Sequence, residues 1–453
     1  MTAVGDLAVS PASATTLDRP TDSSQTARPL GAWRPLLAGE ERRRALEVVD
    51  EIANALRDRL DDTGPADWAL GNGLVGAALL FAYLARARPG EGHEETALRA
   101  VERVLDALPA ASGEPDLYGD ALGAAWLLEH LRGSLISEDS GAAELLGELV
   151  EIVTEWPEVG HYDLICGLVG VGVLAHEATL AGSEELGGAL FDAALSQLAR
   201  RAQPASSGST WWTSPLLLPE HQREKAPDGY FNFGVAHGIP GIVGLLGLRG
   251  LRSQEAEPQR LLEGAVAGLL DEERAGDVSH FACWRARGGD PAPGRLAWCY
   301  GDPGVAVTLL LAAASQRGEL AGRWSGFALD LARSAFSSRD GRRGIVDAGL
   351  CHGAAGLAHL GNRIYQHTRD TFFLEQAGRW LEWTLRFRKP GSGCGGYLAW
   401  SPTANLEPGW APQPGFLTGA AGIGLALLAA ATNIEPEWDR LLLASLPPAL
   451  PGR

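Results

Sequence analysis

The sequence predicts an all-α fold, an α/α toroid (barrel) of seven inner and seven outer helices. Three observations predict it. Gly-rich junctions recur along the chain, each opening a strongly apolar run. Between most of them lies a longer amphipathic helix carrying Arg and Glu, as at 142–153 and 324–337. The spacing, roughly 45 to 70 residues, is a repeat period. An apolar helix must be buried on most sides, and an amphipathic one shields it from water. Such pairs stack openly as a solenoid or close into a ring. Glycines at the junctions favour the ring, because they let inner helix ends crowd around a centre.

Residues 1–32 are rich in Ser, Thr, Pro, Ala and Asp and are expected to form a disordered tail, leaving 33–453 as a single toroid domain. After Gly39, the residues Ala45, Val48, Val49, Ile52, Ala53 and Leu56 recur at helical spacing. Gly71-Asn72-Gly73-Leu74-Val75-Gly76 then opens a far more apolar helix. Later junctions are Tyr118-Gly119-Asp120-Ala121-Leu122-Gly123, Cys166-Gly167-Leu168-Val169-Gly170 and His237-Gly238-Ile239-Pro240-Gly241. Tyr300-Gly301-Asp302-Pro303-Gly304, His352-Gly353-Ala354-Ala355-Gly356 and Thr418-Gly419-Ala420-Ala421-Gly422 complete the seven. Six have the spacing Gly-x-x-Gly, and the second is stretched to Gly-x-x-x-Gly.

Two connections, 202–233 and 272–297, are long and show little periodicity. Such connections in a compact domain are more often functional or disordered than neutral spacers. They lead into the junctions carrying His237 and Cys299, so a substrate-binding rim is expected there; their Trp residues serve equally well as lid packing.

Apolar residues make up 45% of the 453 positions, enough for a sizeable core. A net charge of −18 argues against binding a nucleic-acid backbone and suits a soluble protein. Five cysteines, an odd number and widely spaced, fit a reducing cytoplasm with metal or catalytic thiols better than a disulfide framework. The start of the chain lacks a basic segment followed by an apolar run, so no secretory signal is expected. Nor is membrane insertion expected, because Gly turns interrupt every long apolar stretch.

Chemistry enters through the polar residues just ahead of the glycines. The third junction carries Tyr162 and Asp163, and the fourth His237. The fifth carries Arg295, Cys299, Tyr300 and Asp302, and the sixth Cys351 and His352. If the inner helices run parallel, their N-terminal ends meet at one mouth of the ring and these groups converge. Two thiols and an imidazole are zinc-type donors, and three protein ligands with one open position make the catalytic kind of site. Helix N-termini also favour thiolates there. Cys166, Cys283 and Cys394 match no ligand position and are expected to be buried spectators.

The sets Trp298-Cys299-Tyr300-Gly301 and Cys351-His352-Gly353, with Ala236-His237-Gly238 upstream, resemble the lanthionine synthetase C family. The resemblance runs from about residue 40 to the end, through all seven junctions, and the family's α/α toroid agrees with the fold read above. It implies a zinc enzyme that closes thioether rings in a precursor peptide. Peptide cysteine thiols would add to dehydroalanine or dehydrobutyrine made from Ser or Thr by a separate dehydratase, and an export transporter is a further expected partner. By match of motif, the zinc ligands would be Cys299, Cys351 and His352. The family's acid/base histidine falls on His237, its aspartate on Asp163, its arginine on Arg295 and its tyrosine on Tyr300. A standalone, cytoplasmic cyclase is expected. Three rivals compete with it. One is a family member acting on small thiols or modified proteins, and another is a non-catalytic peptide-binding scaffold. The third is an α/α-toroid glycoside hydrolase using Asp163 and Asp302, which needs two carboxylates flanking a sugar cleft.

Overall fold

The computed structural model describes residues 33–448 except 61–67, 108–114, 120, 139–141, 275–278, 339–341, 343 and 403–407. The expected N-terminal tail lies outside the described residues, as do Asp120 and part of the second long connection.

The chain runs through α1 (Gly39–Arg59), α2 (Leu74–Ala87), α3 (His93–Ala107), α4 (Ala121–Leu131), α5 (Ala143–Thr154), α6 (Leu168–Leu180) and α7 (Glu184–Arg201). It continues with α8 (Ile239–Gly250), α9 (Ala256–Leu270), α10 (Asp302–Ser315), α11 (Gly318–Ser337), α12 (Ala354–Thr368), α13 (Thr371–Phe387) and α14 (Ala420–Ala431). Even-numbered helices form the inner ring and odd-numbered ones surround it. The burial pattern follows the sequence: every residue of α14 is buried, whereas α1 buries only the stripe Ala45, Val48, Val49, Ile52, Ala53 and Leu56. The α/α toroid with seven helices in each layer is the observed fold.

Closure is visible in packing and in hydrogen bonds. Each inner helix packs against the next, and α14 packs against α2. The first outer helix, α1, lies on the last inner one. Just before α1, the backbone N–H groups of Leu36 and Leu37 donate to the Ala430 carbonyl at 2.8 and 3.0 Å, and Trp33 Nε1 donates to the Ala429 carbonyl at 2.8 Å. At the N-terminal ends of the inner helices, backbone hydrogen bonds run from junction to junction. Gly71 donates to Tyr118, Leu117 to Ile165, Leu164 to Ala236, Ala236 to Cys299, Cys299 to Cys351, Cys351 to Leu417, and Leu417 back to Gly71, at 2.8 to 3.4 Å. This circle makes the junctions neighbours around one mouth.

The second glycine of each pair is required by close approach. A Cβ on Gly304 would sit 2.0 Å from the Trp298 carbonyl oxygen, and one on Gly356 1.9 Å from that of Leu350. The preceding loop folds back onto the first helical turn, and only a residue without a side chain leaves room.

Both long connections contain regular structure that the sequence did not reveal. A two-residue pair, β1 (Gln203–Pro204) with β2 (Ser209–Thr210), precedes a three-stranded antiparallel sheet. That sheet joins β3 (Trp212–Thr213) and β4 (Tyr230–Asn232) from one connection to β5 (Trp284–Ala286) from the other. Strands of two or three residues are too short to show alternation, and half of their pairing comes from a distant segment. A hairpin of β6 (Ala399–Pro402) and β7 (Pro408–Ala411) pairs Trp400 with Trp410.

The C-terminal segment fills the bore beneath the mouth. Trp438, Leu441 and Leu443 are buried. Tyr118 Oη donates to the Leu441 carbonyl at 2.6 Å, and Trp298 Nε1 donates to that of Leu442 at 2.8 Å. Buried ion pairs bolt it to inner helices: Arg440 to Glu177 of α6 at 2.7 Å, and Asp439 to Arg363 of α12.

Candidate metal centre and active site

The backbone circle sets the fifth junction beside the sixth, with Cys299 N–H donating to the Cys351 carbonyl at 3.2 Å. The ligand atoms of Cys299, Cys351 and His352 lie within 4.8 Å of one another. Cys299 is buried and the other two are half-buried. His352 Nδ1 is buried with no hydrogen-bond partner, a costly state for a polar atom unless a ligand takes it. Two soft thiol donors, an imidazole with an orphaned nitrogen and a compact spacing fit a zinc-type ion with one position left open. The Cys299 thiol is held well below its ordinary value, first by the hydrogen bond from Cys351, then by His352 and the Arg295 guanidinium. The hydrogen bond to Cys299 pushes Cys351 correspondingly up, so one proton serves both sulfurs.

Arg295 leans over the cluster, its Nη2 donating to Cys299 Sγ at 3.2 Å. Burial works against its charge, but the Cys299 and Cys351 sulfurs more than offset that, and it stays protonated. The guanidinium also lies over the Tyr300 ring, 5.7 Å from its centroid. Burial pushes the Tyr300 phenol well above its usual range, so it stands as a neutral hydroxyl. Asn232 Nδ2 donates to that hydroxyl at 3.3 Å.

Across the mouth, His237 Nδ1 bonds Asp163 Oδ2 at 2.9 Å. Asp163 Oδ1 accepts the backbone N–H groups of Ile165 and Cys166 at 2.9 and 2.8 Å. Burial opposes ionisation of Asp163, but His237, His161 and these N–H groups hold it well below the usual carboxylate range. An ionised acceptor requires the proton on His237 Nδ1, which leaves Nε2 with its lone pair. Burial would lower the His237 pKa; the Asp163 carboxylate overrides it and raises the value, helped by the charge of Cys299. The imidazole side chain is 37% exposed and that of Asp163 only 8%, so the ring is open at the mouth and the carboxylate stands behind it. The His237 ring also stacks on Tyr300, centroids 6.1 Å apart.

All seven residues singled out from sequence therefore meet at one mouth, while Asp302 does not face it. Its carboxylate accepts Ser279 Oγ at 2.5 Å and the backbone N–H groups of His280 and Phe281 at 2.7 and 3.1 Å, and it is 1% exposed. It cannot serve as the second carboxylate of a sugar cleft. Arg295 and Tyr300 do not pair with it.

Sequence reasoning missed Asn232, Asp347 and Trp400. Asp347 accepts the Gly349 N–H at 3.1 Å and the Trp400 N–H at 3.0 Å, which fastens the hairpin to the loop carrying Cys351 and His352. A signal for two of them was present. His161, Asn232, Arg295, Asp347 and Gln413 each stand six residues ahead of the first glycine of their junction, and all are polar. Trp400 had no such signal. A cleft of about 670 Å³ opens over the cluster, walled by Arg295, His352 and Trp400 among others.

Fold and cluster together define the class: an α/α toroid with a metal-type Cys/Cys/His group at the mouth of its inner ring. The model of the family described as lanthionine synthetase C-like protein matches residues 64–443, and this chain belongs to that family. Among solved structures, a nisin cyclase is similar at TM-score 0.69 and 19% identity, over 88% of this chain and 97% of that one. A sugar epimerase from a ruminal bacterium matches at TM-score 0.45 and 10% identity, over 85% and 98% of the two chains. An unsaturated glucuronyl hydrolase specific for heparin matches at 0.41 and 13%, over 76% and 97%. No curated protein matches the sequence significantly.

Proposed function

We propose that the chain is a zinc-dependent lanthipeptide cyclase that closes lanthionine and methyllanthionine rings. The observation that carries the reading is the Cys299, Cys351 and His352 cluster, with an orphaned His352 nitrogen, facing the His237–Asp163 pair in a member of this family. Cys299, Cys351 and His352 would hold Zn²⁺, which when bound lowers the pKa of an arriving peptide thiol and orients its sulfur. His237 Nε2, its lone pair open at the mouth of the ring, accepts the thiol proton. Sulfur then bonds to the β-carbon of dehydroalanine or dehydrobutyrine, and the π electrons move toward the carbonyl as an enolate. Arg295, fixed in its charge, stabilises that negative oxygen, and the neutral Tyr300 hydroxyl is a further donor beside it. His237, now protonated, returns the proton to the α-carbon. One S–C bond forms, one S–H bond and one π bond are lost, one C–H bond forms, and no co-reactant is consumed. Asp163 holds the productive tautomer throughout.

The substrate is a dehydrated precursor peptide, so a separate dehydratase must act first, and an export transporter follows. Exposed thiol chemistry of this kind suits the reducing cytoplasm. Among the described residues no helix is long and apolar enough to cross a membrane. The test is zinc content with cyclisation of a dehydrated, Cys-containing peptide, in wild type and Cys299→Ala. About one zinc per chain, lost in the variant together with ring closure, is the expected result. Metal-free wild type that still closes rings would refute the mechanism.

A further inference from the structure

Two tryptophans stand in water at the edge of the cleft. Trp400 is 40% exposed and Trp410 50%, and their rings meet edge to face at 5.2 Å across the β6–β7 hairpin. Aromatic surface is normally buried, so a pair left open on a hairpin is an unspent binding surface. The support is hydrogen-bonded: Trp400 sits in a four-pair antiparallel register, and its N–H is tied to the Asp347 carboxylate at 3.0 Å. Asp347 also caps the loop that carries Cys351 and His352. The indole and the metal-type ligands are thus held in one frame.

Trp400 walls the same cleft as His352 and Arg295. Leu296, Ile345 and Val346 extend its apolar side, and Val346 is 42% exposed. Gln413 and Thr418 add an amide and a hydroxyl to the lining. At about 670 Å³ the cleft lies within the usual size of a small-ligand site, roughly 300–1,000 Å³, and admits a few residues of an extended chain but no folded partner. The His237–Asp163 pair does not line it, so the cleft runs off to one side of the reacting centre.

We infer that this cleft is a subsite for the peptide residue next to the reacting cysteine, and that Trp400 selects an aromatic or large aliphatic side chain there. The inference rests on the cyclase reading for its occupant. Its own ground is the continuity of an apolar, aromatic-walled cleft with the metal-type cluster. Trp400 is a specificity-determining residue in this account: the side chain of the flanking residue packs on the indole face, Leu296 and Val346, while Gln413 and Thr418 bond the peptide backbone.

The experiment uses the full zinc-loaded chain and two short dehydrated peptides that differ only in the residue flanking Cys, Phe in one and Gly in the other. Binding is read separately by calorimetry with non-reacting versions in which that Cys is Ser. Wild type is expected to prefer the Phe peptide by about tenfold in both Kd and kcat/KM, the scale of one buried aromatic contact. Trp400→Ala should erase most of that preference, and Trp400→Phe should restore part of it, with unchanged thermal melting for both variants. A preference that survives Trp400→Ala, or wild type that binds the two peptides equally, overturns the subsite. If wild type closes no ring yet shows a Trp400-dependent preference in binding, the subsite stands and the cyclase reading fails.

Discussion

Replacing Asp163 by Asn tests the proton-transfer pair most directly, because the two carboxylate oxygens have different work. Oδ1 accepts two backbone N–H groups at 2.9 and 2.8 Å, and Oδ2 faces His237 Nδ1 at 2.9 Å. In the variant, the amide oxygen keeps the backbone bonds, so the NH₂ group turns toward the imidazole. It can only donate, which moves the His237 proton to Nε2 and removes the lone pair from the mouth. The rate plateau should fall about 100-fold or more, the range of a lost general base. The charge effect is separate. Asp163 raises the His237 pKa against burial, and a hydrogen bond to a charged group is worth about 1.5–3 kcal/mol. Losing the carboxylate therefore lowers that pKa. A base limb that needs neutral His237 therefore moves to lower pH, not higher. The assay is the pH dependence of kcat for cyclisation, with the His237 ring titrated by NMR. A plateau within threefold of wild type, or a midpoint that moves upward, would refute the reasoning.

Other outcomes follow from the same contacts. Cys351→Ala should abolish stoichiometric zinc by mass spectrometry of the purified chain, since it removes one of three clustered donors; full metal occupancy would remove Cys351 from the ligand set. Gly301→Ala would put a Cβ 1.8 Å from the Arg295 carbonyl, a backbone atom that cannot step aside cheaply. It should cost about 1–3 kcal/mol in urea unfolding and displace Arg295 from Cys299, read as weaker metal retention. Burial opposes charge on Asp439, yet Arg363 and His359 bring its pKa down to about 2. A folded value below the unfolded one means stability present above about pH 4 and lost as pH falls through about 2, worth about 2 kcal/mol. Thermal melting between pH 5 and 2 should drop less steeply in Asp439→Asn than in wild type, from a lower starting point.

The toroid and the positions of the residues that gather at its mouth were legible in the sequence, whereas the strands of the connections were not. Cys299, Cys351, His352, His237, Asp163, Arg295 and Tyr300 could be picked out because each stands one to six residues ahead of a glycine that opens an apolar helix, in motifs that resemble a known family. Asn232 and Asp347 share the Arg295 offset but carry no reactive group, so their roles as props for Tyr300 and the hairpin emerge only from contacts. Trp400 pairs with Trp410, ten residues further along the chain, and nothing local aims it at the cluster. The strands of the long connections are the plainest case. Tyr230–Asn232 acquires its strand character from Trp212–Thr213 on one side and Trp284–Ala286 on the other.

By itself, the sequence determined the seven junctions with their residue types, the apolar helices they open and the alternation with amphipathic helices. Those properties are local: periodicity, glycine sterics and the chemistry of single side chains act within a turn or two of helix. Only the tertiary structure decided that α1 covers α14, that seven junctions link through one circle of hydrogen bonds, and that Cys299 lies against Cys351. It also seated the 437–442 turn in the bore, where Arg440 meets Glu177 across more than half of the chain. Such pairings are long-range. They are chosen by which surfaces bury best once every helix is present, and no window of sequence contains both partners.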